Sequence, residues 1–122
     1  MNKYQQFDIW LKKLKDIWEK KEPLKIIDLC AEKFLWFETP FSKPYSTKEQ
    51  LLKDWQGILS QKNIIFTYEI LCTNKQMGII HWSVQFVRTS SEEKVSLDGI
   101  FQVILNEQGK FKEFHQWYSV NK

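Results

Sequence analysis

KFLWFETPFSKPYSTKEQLLKDW, from Lys33 to Trp55, lies between the two predicted N-terminal helices and the four predicted strands of the chain. It begins with a short apolar strand, Phe34 to Glu38, and continues through a loop that carries Pro40 and Pro44. A hydroxyl at Thr47, with glutamine three residues later, is a capping-box pattern and starts a helix. Polar residues therefore follow the strand where a loop can open a cavity.

Two helices are predicted before this stretch. Residues 4–21 are helical by their apolar spacing, and Pro23 suits the first turn of a second helix. The first helix carries one apolar stripe, which is Phe7, Trp10, Leu11, Leu14, Ile17 and Trp18.

Strands are predicted after it. The third helix ends near Ser60, and polar and apolar residues then alternate over residues 63–73, 77–89, 94–105 and 110–120. Helices followed by a four-strand meander predict one α+β domain over residues 1–122, with the helices against one face of the sheet. Because the other face also carries apolar residues, we expect it to pack against a second copy of the chain.

The composition indicates a soluble globular protein with many aromatic side chains. Hydrophobic residues make up 43% of the 122 residues and charged residues 27%, while aromatic residues reach 16%, with six Trp and nine Phe. Large rings fill a small core or line a pocket, and the composition alone leaves both open.

Charge and cysteine usage exclude several classes. The net charge of +3 comes from interspersed acids and bases, so a nucleic-acid partner is not expected. Cys30 and Cys72 belong to no CxxC or Cys/His cluster and indicate a reducing compartment. No segment has the length of apolar sequence that a membrane span needs, and the start lacks a signal peptide's apolar region. We therefore expect a cytoplasmic protein without a metal, a cofactor or a membrane partner.

Several short motifs carry a family resemblance. They are FETPF at 37–41, a third helix that ends in Trp55, LDGIF at 97–101 and the turn NEQGK at 106–110. With the order of the elements they resemble the nuclear transport factor 2-like (NTF2-like) superfamily, and within it the SnoaL-like proteins. The resemblance implies an NTF2-like cone, with three N-terminal helices on a curved antiparallel sheet of one short strand and a four-strand meander. It also implies a pocket at the open end and, often, a homodimer. Members include a ketosteroid isomerase, polyketide cyclases, an epoxide hydrolase, scytalone dehydratase and binding modules, so the fold does not fix the function.

The isomerase residues of that family can be placed on this chain. Its oxyanion-hole tyrosine and aspartate fall at Leu14 and Phe101, and its general base falls at Glu38 or Thr39. Because two of the three roles are missing, we do not expect the steroid-isomerase activity. The epoxide hydrolase and the dehydratase need sets of Asp, Arg or His inside the cone, and Arg88 is the only arginine here.

Three polar residues of the strands are also candidates. Asp98 is an acid inside an apolar strand, so it is either a pocket carboxylate with a raised pKa or a paired surface residue. His115 and His81 are either general bases or satisfied surface groups, and two histidines without clustered acids form no metal site.

The turn at 106–109 decides which way these residues face. A two-residue loop puts Phe101 on one face with Phe114, and Asp98 on the other face with His115 and Trp117. A bulge at the glycine moves Asp98 to the face of Phe114 instead. In the isomerase the oxyanion-hole aspartate, which corresponds to Phe101, faces the pocket, so the resemblance favours the first register.

These observations lead to three functional hypotheses. The first is a domain that binds a small, mostly apolar molecule in an aromatic-lined cone pocket, with Glu38 and Tyr45 at the mouth. The second is a lyase, isomerase or hydrolase that uses Glu38 or Asp98 as general base and Tyr118 or a tryptophan N–H as donor. The third is a protein-interaction module that uses the sheet face. The predicted ligand-binding residues are Trp36, Trp55, Trp82, Phe101, Phe114 and Tyr118.

Overall fold

A computed structural model, which describes residues 2–121, gives an α+β fold in which helices cover one face of a five-stranded sheet. The two terminal residues of the predicted domain lie outside the described residues. Among residues 2–121 no helix is long and apolar enough to cross a membrane. The elements are α1 (Lys3–Glu19), a 3₁₀ helix (Pro23–Leu29), β1 (Cys30–Phe37), α2 (Lys48–Trp55), a second 3₁₀ helix (Gln56–Ser60), β2 (Gln61–Asn74), β3 (Met77–Arg88), β4 (Lys94–Leu105) and β5 (Phe111–Asn121).

The strands are arranged in the order β1-β5-β4-β3-β2. The meander β2 to β5 is antiparallel as predicted, but β1 runs parallel to β5, so the sheet is mixed and not purely antiparallel. The correction has a physical cause: β1 reaches β5 by a long connection through the rest of the chain, and a connection of that length permits a parallel pair.

Helix α1 begins and ends at recognisable caps. Asn2 and Gln5 form a capping box at its start. At its end Lys21 has a φ of 57°, and the Glu22 N–H bonds the Ile17 carbonyl at 2.9 Å, which is a Schellman motif. The six residues of the predicted apolar stripe are all buried.

The second predicted helix is a 3₁₀ helix. Its buried residues Pro23, Ile26 and Leu29 recur every three positions, which is the period of a 3₁₀ helix. β1 also starts earlier than predicted, since Cys30 already pairs with Phe111. A bulge separates that pair from the next one, in which Leu35 lies beside Glu113.

The hairpin between β4 and β5 has a register that neither alternative predicts. Phe101 pairs with Gln116, two residues beyond Phe114, and a register shift separates Ile104 from Leu105. A shift of two residues keeps every side chain on its face. Asp98 therefore lies on the face away from the helices, as in the first alternative.

Helix α1 also covers part of the sheet edge at β2. The Glu19 carboxylate accepts the backbone N–H of Phe66 at 2.8 Å, and the Lys15 ammonium donates to the Phe66 carbonyl at 2.5 Å. Lys15 and Glu19 also pair with each other at 2.7 Å. Two backbone groups of an edge strand are therefore satisfied by side chains of the helix.

The core lies between the helices and the inner face of the sheet, and aromatic rings dominate it. Trp36 stacks on Phe114 with ring centroids 3.7 Å apart, and Trp82 stacks on Phe101 at 4.7 Å. These four rings are at most 2% exposed.

Candidate functional site

A cavity of about 290 Å³ opens beside this aromatic core. Its wall is built by α1, α2, the second 3₁₀ helix, the end of β1, the start of β2 and the inner face of β3, β4 and β5. A volume of this size is at the small end of the range that holds small-molecule ligands. All six predicted ligand-binding residues line it, namely Trp36, Trp55, Trp82, Phe101, Phe114 and Tyr118.

The rings of this wall serve as core and as lining at once. Phe101 packs between the Trp82 ring and the Phe114 ring, with centroids 4.7 Å from each. The Trp55 ring meets the Trp36 ring edge-on at 6.0 Å. The sequence left core and pocket as alternatives for these residues, and the two descriptions apply to the same side chains.

Two indole N–H groups of the wall have no hydrogen-bond partner among the described residues. They belong to Trp55 and Trp82, and both nitrogens are buried. The other cavity tryptophans are satisfied, because Trp18 donates to the Gln61 side chain at 2.8 Å and Trp36 donates to Glu38 at 2.7 Å. A buried donor without a partner costs free energy, and a ligand oxygen is the kind of group that would satisfy it.

Glu38 directly follows β1 and lies in the cavity wall. The Trp36 indole donates to its Oε2, and Gln116 donates to its backbone carbonyl at 3.0 Å. Burial raises the pKa of Glu38 to about 7, and the nearby Asp54 carboxylate adds to the rise. A glutamate with this pKa exchanges its proton near neutral pH.

The loop after Glu38 returns to β1 and brings Tyr45 beside it. Trp36 and Tyr45 exchange two backbone hydrogen bonds of 2.9 and 2.8 Å, which form an isolated antiparallel bridge. A turn in which the Ser42 N–H bonds the Thr39 carbonyl reverses the chain between them. The bridge fixes both ends of the loop, so Glu38 and Tyr45 keep their relative positions.

Asp54 completes a carboxyl pair that the sequence did not predict. It lies on α2 beside Trp55, lines the cavity and accepts the Tyr45 hydroxyl at 3.3 Å. Burial raises the pKa of Asp54, although its hydrogen bonds with Tyr45 and Glu38 oppose the rise. The interaction between the two carboxyl groups raises the pKa of Glu38 and opposes the rise in the pKa of Asp54, so it favours the proton on Glu38.

Asp54 could have been found from its spacing on the helix. It follows the buried Leu51 by three residues and precedes the buried Trp55 by one, so it borders the apolar stripe. The apolar pattern of the helix does not single out this acid, because Asp54 borders the stripe without belonging to it.

Asp98 does not line the cavity, so its predicted role as a pocket base is corrected. It lies on the outer face of the sheet, where the Ser83 hydroxyl donates to it at 2.5 Å and the His81 ring lies 3.0 Å away. These hydrogen bonds from Ser83 and His81 lower the pKa of Asp98. Of the two alternatives for Asp98, the structure shows the paired surface residue.

The two histidines lie on the same outer face. His81 sits between Asp98 and Glu69, and hydrogen bonds to these two acids raise its pKa. His115 stacks on Phe37 with centroids 4.2 Å apart and pairs with Glu113 at 2.7 Å. Within residues 2–121 no group of three His, Cys, Asp or Glu side chains is placed to hold a metal ion.

Apolar side chains occupy the two oxyanion-hole positions that the resemblance assigns. Leu14 and Phe101 both line the cavity. Of the two positions proposed for the general base, Glu38 lines the cavity, whereas Thr39 bonds with Ser42 in the loop. The hydrogen-bonding groups that do line the cavity include the Tyr118 hydroxyl, and its pKa is raised by burial and by the acids Glu38 and Asp54.

Comparison with known proteins identifies the fold. No protein-family model and no curated protein matches the sequence. Among solved structures, a proposed isomerase from Bacillus subtilis superposes with a TM-score of 0.83 at 14% identity, covering 98% of this chain and 90% of that one. The epoxide hydrolase/cyclase-like enzyme SalBIII, which has a role in pyran ring formation in the polyether salinomycin, superposes with a TM-score of 0.79 at 6% identity, covering 98% and 94%. The chain therefore shares the fold of these two proteins, the NTF2-like fold that the sequence motifs and the order of the elements predicted.

Proposed function

We propose that the protein is an acid–base enzyme that moves a proton within a small, largely apolar molecule, with Glu38 as the group that transfers it. The observation that carries this proposal is the pair of carboxyl groups, Glu38 and Asp54, in the wall of an aromatic cavity. Two acids that share a site with their pKa values pushed apart are a recurring arrangement for acid–base chemistry.

The proton transfer needs only groups that line the cavity. In its ionised form Glu38 takes a proton from a carbon or a hydroxyl of the bound molecule, and the resulting acid returns that proton to another atom of the same molecule. Burial, with the neighbouring Asp54 carboxyl group, raises the pKa of Glu38 to about 7, so Glu38 can exchange its proton near neutral pH. The net reaction is an isomerisation or a cyclisation.

The oxygen of the bound molecule needs donors when charge develops on it. The buried indole N–H groups of Trp55 and Trp82 and the hydroxyl of Tyr118 are the donors assigned to this task. They replace the oxyanion hole that Leu14 and Phe101 cannot supply.

The neighbours in fold lend support of a coarser kind. One is an epoxide hydrolase/cyclase-like enzyme and the other a proposed isomerase, and both names belong to the reaction class that a cavity carboxylate serves. At 6% and 14% identity these neighbours support the fold alone, and the acid–base chemistry is inferred from the carboxyl pair.

The test is turnover of a panel of hydroxy-epoxides and β,γ-unsaturated ketones, followed by mass spectrometry and NMR. We expect conversion of at least one member, and a loss of roughly 10²- to 10⁴-fold for Glu38→Gln. Glu32→Gln is the matched control, because Glu32 is an exposed residue of β1, the strand that Glu38 follows, and its change should leave the rate unchanged. A panel without any conversion, or full activity of Glu38→Gln, would contradict the proposal.

A second candidate function is ligand binding without turnover. It is favoured by the apolar residues at the oxyanion-hole positions, Leu14 and Phe101. In that case a panel molecule would bind and be recovered unchanged, and Glu38→Gln would keep its affinity.

The outer face of the sheet remains the proposed surface for a homodimer or for another protein partner. It carries partly exposed apolar side chains, among them Ile79, Ile100, Ile104 and Trp117, and Trp117 is 44% exposed. Sedimentation equilibrium would test the homodimer directly. Cytoplasmic location and the absence of a nucleic-acid partner stay predictions.

A further inference from the structure

The cavity has a second polar region, on the side away from β1. Arg88, the last residue of β3, and Gln61, the first residue of β2, pair across these two strands, and both line the cavity. Arg88 is the only arginine in the sequence, and among the described residues it is the one cation of the cavity wall.

Arg88 and Gln61 both keep hydrogen-bond donors that no other described side chain uses. The Nε of Arg88 bonds the Glu93 carboxylate at 3.1 Å, and within residues 2–121 its two terminal nitrogens form no side-chain hydrogen bond. The carbonyl of the Gln61 side chain accepts the Trp18 indole at 2.8 Å, so its NH₂ group remains free. Ser60, which also lines the cavity, donates its hydroxyl to the Gly57 carbonyl at 2.8 Å.

The Arg88 side chain is not needed to hold its hairpin. Backbone bonds of 2.9 Å already join Arg88 N–H to the Glu93 carbonyl, and Glu92 N–H to the Arg88 carbonyl. Both members of the Arg88–Glu93 ion pair are 40% exposed, so the pair adds little stability. The guanidinium lies over the Phe86 ring at 5.6 Å, and within residues 2–121 its two NH₂ groups have no side-chain partner. Such a planar pair of NH₂ groups on a residue of the cavity wall has the geometry that binds a carboxylate.

The two polar regions lie at opposite sides of an apolar cavity. Glu38 follows β1, and Arg88 ends β3, which lies three strand positions from β1, or about 14 Å across the sheet. Between them lie Phe114, Phe101 and Leu97. A molecule that contacts both regions needs an apolar middle and two different polar ends.

We propose that Arg88 and Gln61 form a carboxylate-binding subsite, and that the ligand of this cavity is an amphiphilic monocarboxylate. Its carboxylate binds at the rim against Arg88, and its apolar body lies along the rings toward Glu38. The assignment rests on the proposed function in one respect, since it takes the cavity as the ligand site. It names the substrate class for the acid–base reaction at the other side.

Octanoate and octanamide are the probes that test the subsite, because they differ in the charge of the head group and share the apolar chain. Their affinities are measured by isothermal titration calorimetry at pH 7.5. We expect octanoate to bind roughly tenfold more tightly than octanamide, since a hydrogen-bonded charged group exceeds a neutral one by about this much. Equal affinities, or no binding of either probe at millimolar concentration, would overturn the proposal.

Three variants locate the effect. Arg88→Gln should make the two probes bind equally, whereas Lys62→Gln should keep the preference for octanoate. Lys62 is the matched control, because it pairs with Glu92 in the same hairpin loop and does not line the cavity. A preference that survives in Arg88→Gln contradicts the subsite. Glu93→Gln, which keeps the arginine, should tighten octanoate binding because a competing carboxylate is gone, and unchanged or weaker binding counts against the proposal.

The subsite and the acid–base function can fail separately. If Glu38→Gln abolishes turnover while Arg88→Gln leaves the preference for octanoate intact, the enzyme proposal stands and the subsite is wrong. If no panel molecule is converted while the preference depends on Arg88, the subsite stands and the protein is a carboxylate-binding module.

Discussion

Glu38 directly follows β1 and Asp98 lies on β4, and the surroundings of these two carboxyl groups push their pKa values in opposite directions. Glu38 lies on the helix-covered side, where burial raises its pKa to about 7. Asp98 lies on the outer side, where hydrogen bonds from Ser83 and His81 lower its pKa. The side of the sheet on which an acid lies therefore decides whether it can transfer a proton near neutral pH.

The largest expected effect separates the two acids by activity. Glu38→Gln should reduce turnover by roughly 10²- to 10⁴-fold, because the cavity loses its proton-transfer group. Asp98→Asn should stay within twofold of the native rate, since the outer face does not contact the cavity. Rates on whichever panel substrate is converted decide the matter, and comparable losses in both variants would end the distinction between the faces.

The same comparison can be made with two tryptophans. Trp82 is 1% exposed on the inner face, and Trp82→Ala should lower the free energy of unfolding by about 3–5 kcal/mol through the cavity it leaves. Trp117 on the outer face is 44% exposed, and Trp117→Ala should cost clearly less. Urea denaturation at a protein concentration low enough to dissociate any dimer gives both values. A larger loss for Trp117→Ala would mean that the outer face is buried in the isolated chain.

The pH dependence of stability gives a third distinction. The pKa of Glu38 rises from 4.5 to about 7 on folding, so the folded state holds a proton that the unfolded state releases. Stability from this group is complete below about pH 4.5 and is lost as the pH rises toward about 7, by at most about 1.4 kcal/mol per pH unit.

Denaturation midpoints between pH 4.5 and pH 8 test this, and Glu38→Gln should flatten the slope. His81 also has a raised pKa, because it forms hydrogen bonds with Asp98 and Glu69. The stability that the protonated His81 gives the folded state is likewise lost as the pH rises through its raised pKa. His81→Gln therefore serves as the second variant. If the slope persists in Glu38→Gln and disappears in His81→Gln, the outer face is its source.

The smallest expected effect is that of Asp98 on stability. Asp98→Asn removes the exposed ion pair with His81 and weakens the hydrogen bond from the Ser83 hydroxyl, and exposed contacts of this kind add little to stability. The change should shrink further in concentrated salt, which screens exposed charges. A loss of several kcal/mol that ignores salt would show that this acid is buried by a partner.

Local patterns predicted most of the fold. The alternation of apolar and polar residues in Met77–Arg88 and Lys94–Leu105 predicted the boundaries of these strands to within one residue. It does so because the helices cover one face of the sheet, so that apolar residues on that face alternate with more polar residues on the other. The face of the sheet on which Asp98 lies was predicted correctly although the register of the hairpin was not. A shift of two residues leaves every side chain on the same face.

Features that depend on distant contacts were not predicted. The parallel pairing of β1 joins Cys30 to Phe111, and nothing near either residue encodes that contact. Asp54 was missed for a related reason. Its pairing with Glu38 depends on where α2 packs against the end of β1, whereas the sequence around it shows only an acid on a short helix.

The bond between helix α1 and the edge of β2 has a consequence for the order of events during synthesis. Lys15 and Glu19 leave the ribosome some fifty residues ahead of Phe66, the residue whose backbone groups they occupy. Their helix is therefore already available when the edge strand emerges, and the open backbone of that strand meets its own helix before it can meet another nascent chain. A chain with α1 moved to its carboxyl end could still form the contacts of Lys15 and Glu19 with Phe66 in the folded state, but it would lose this protection while it is being made.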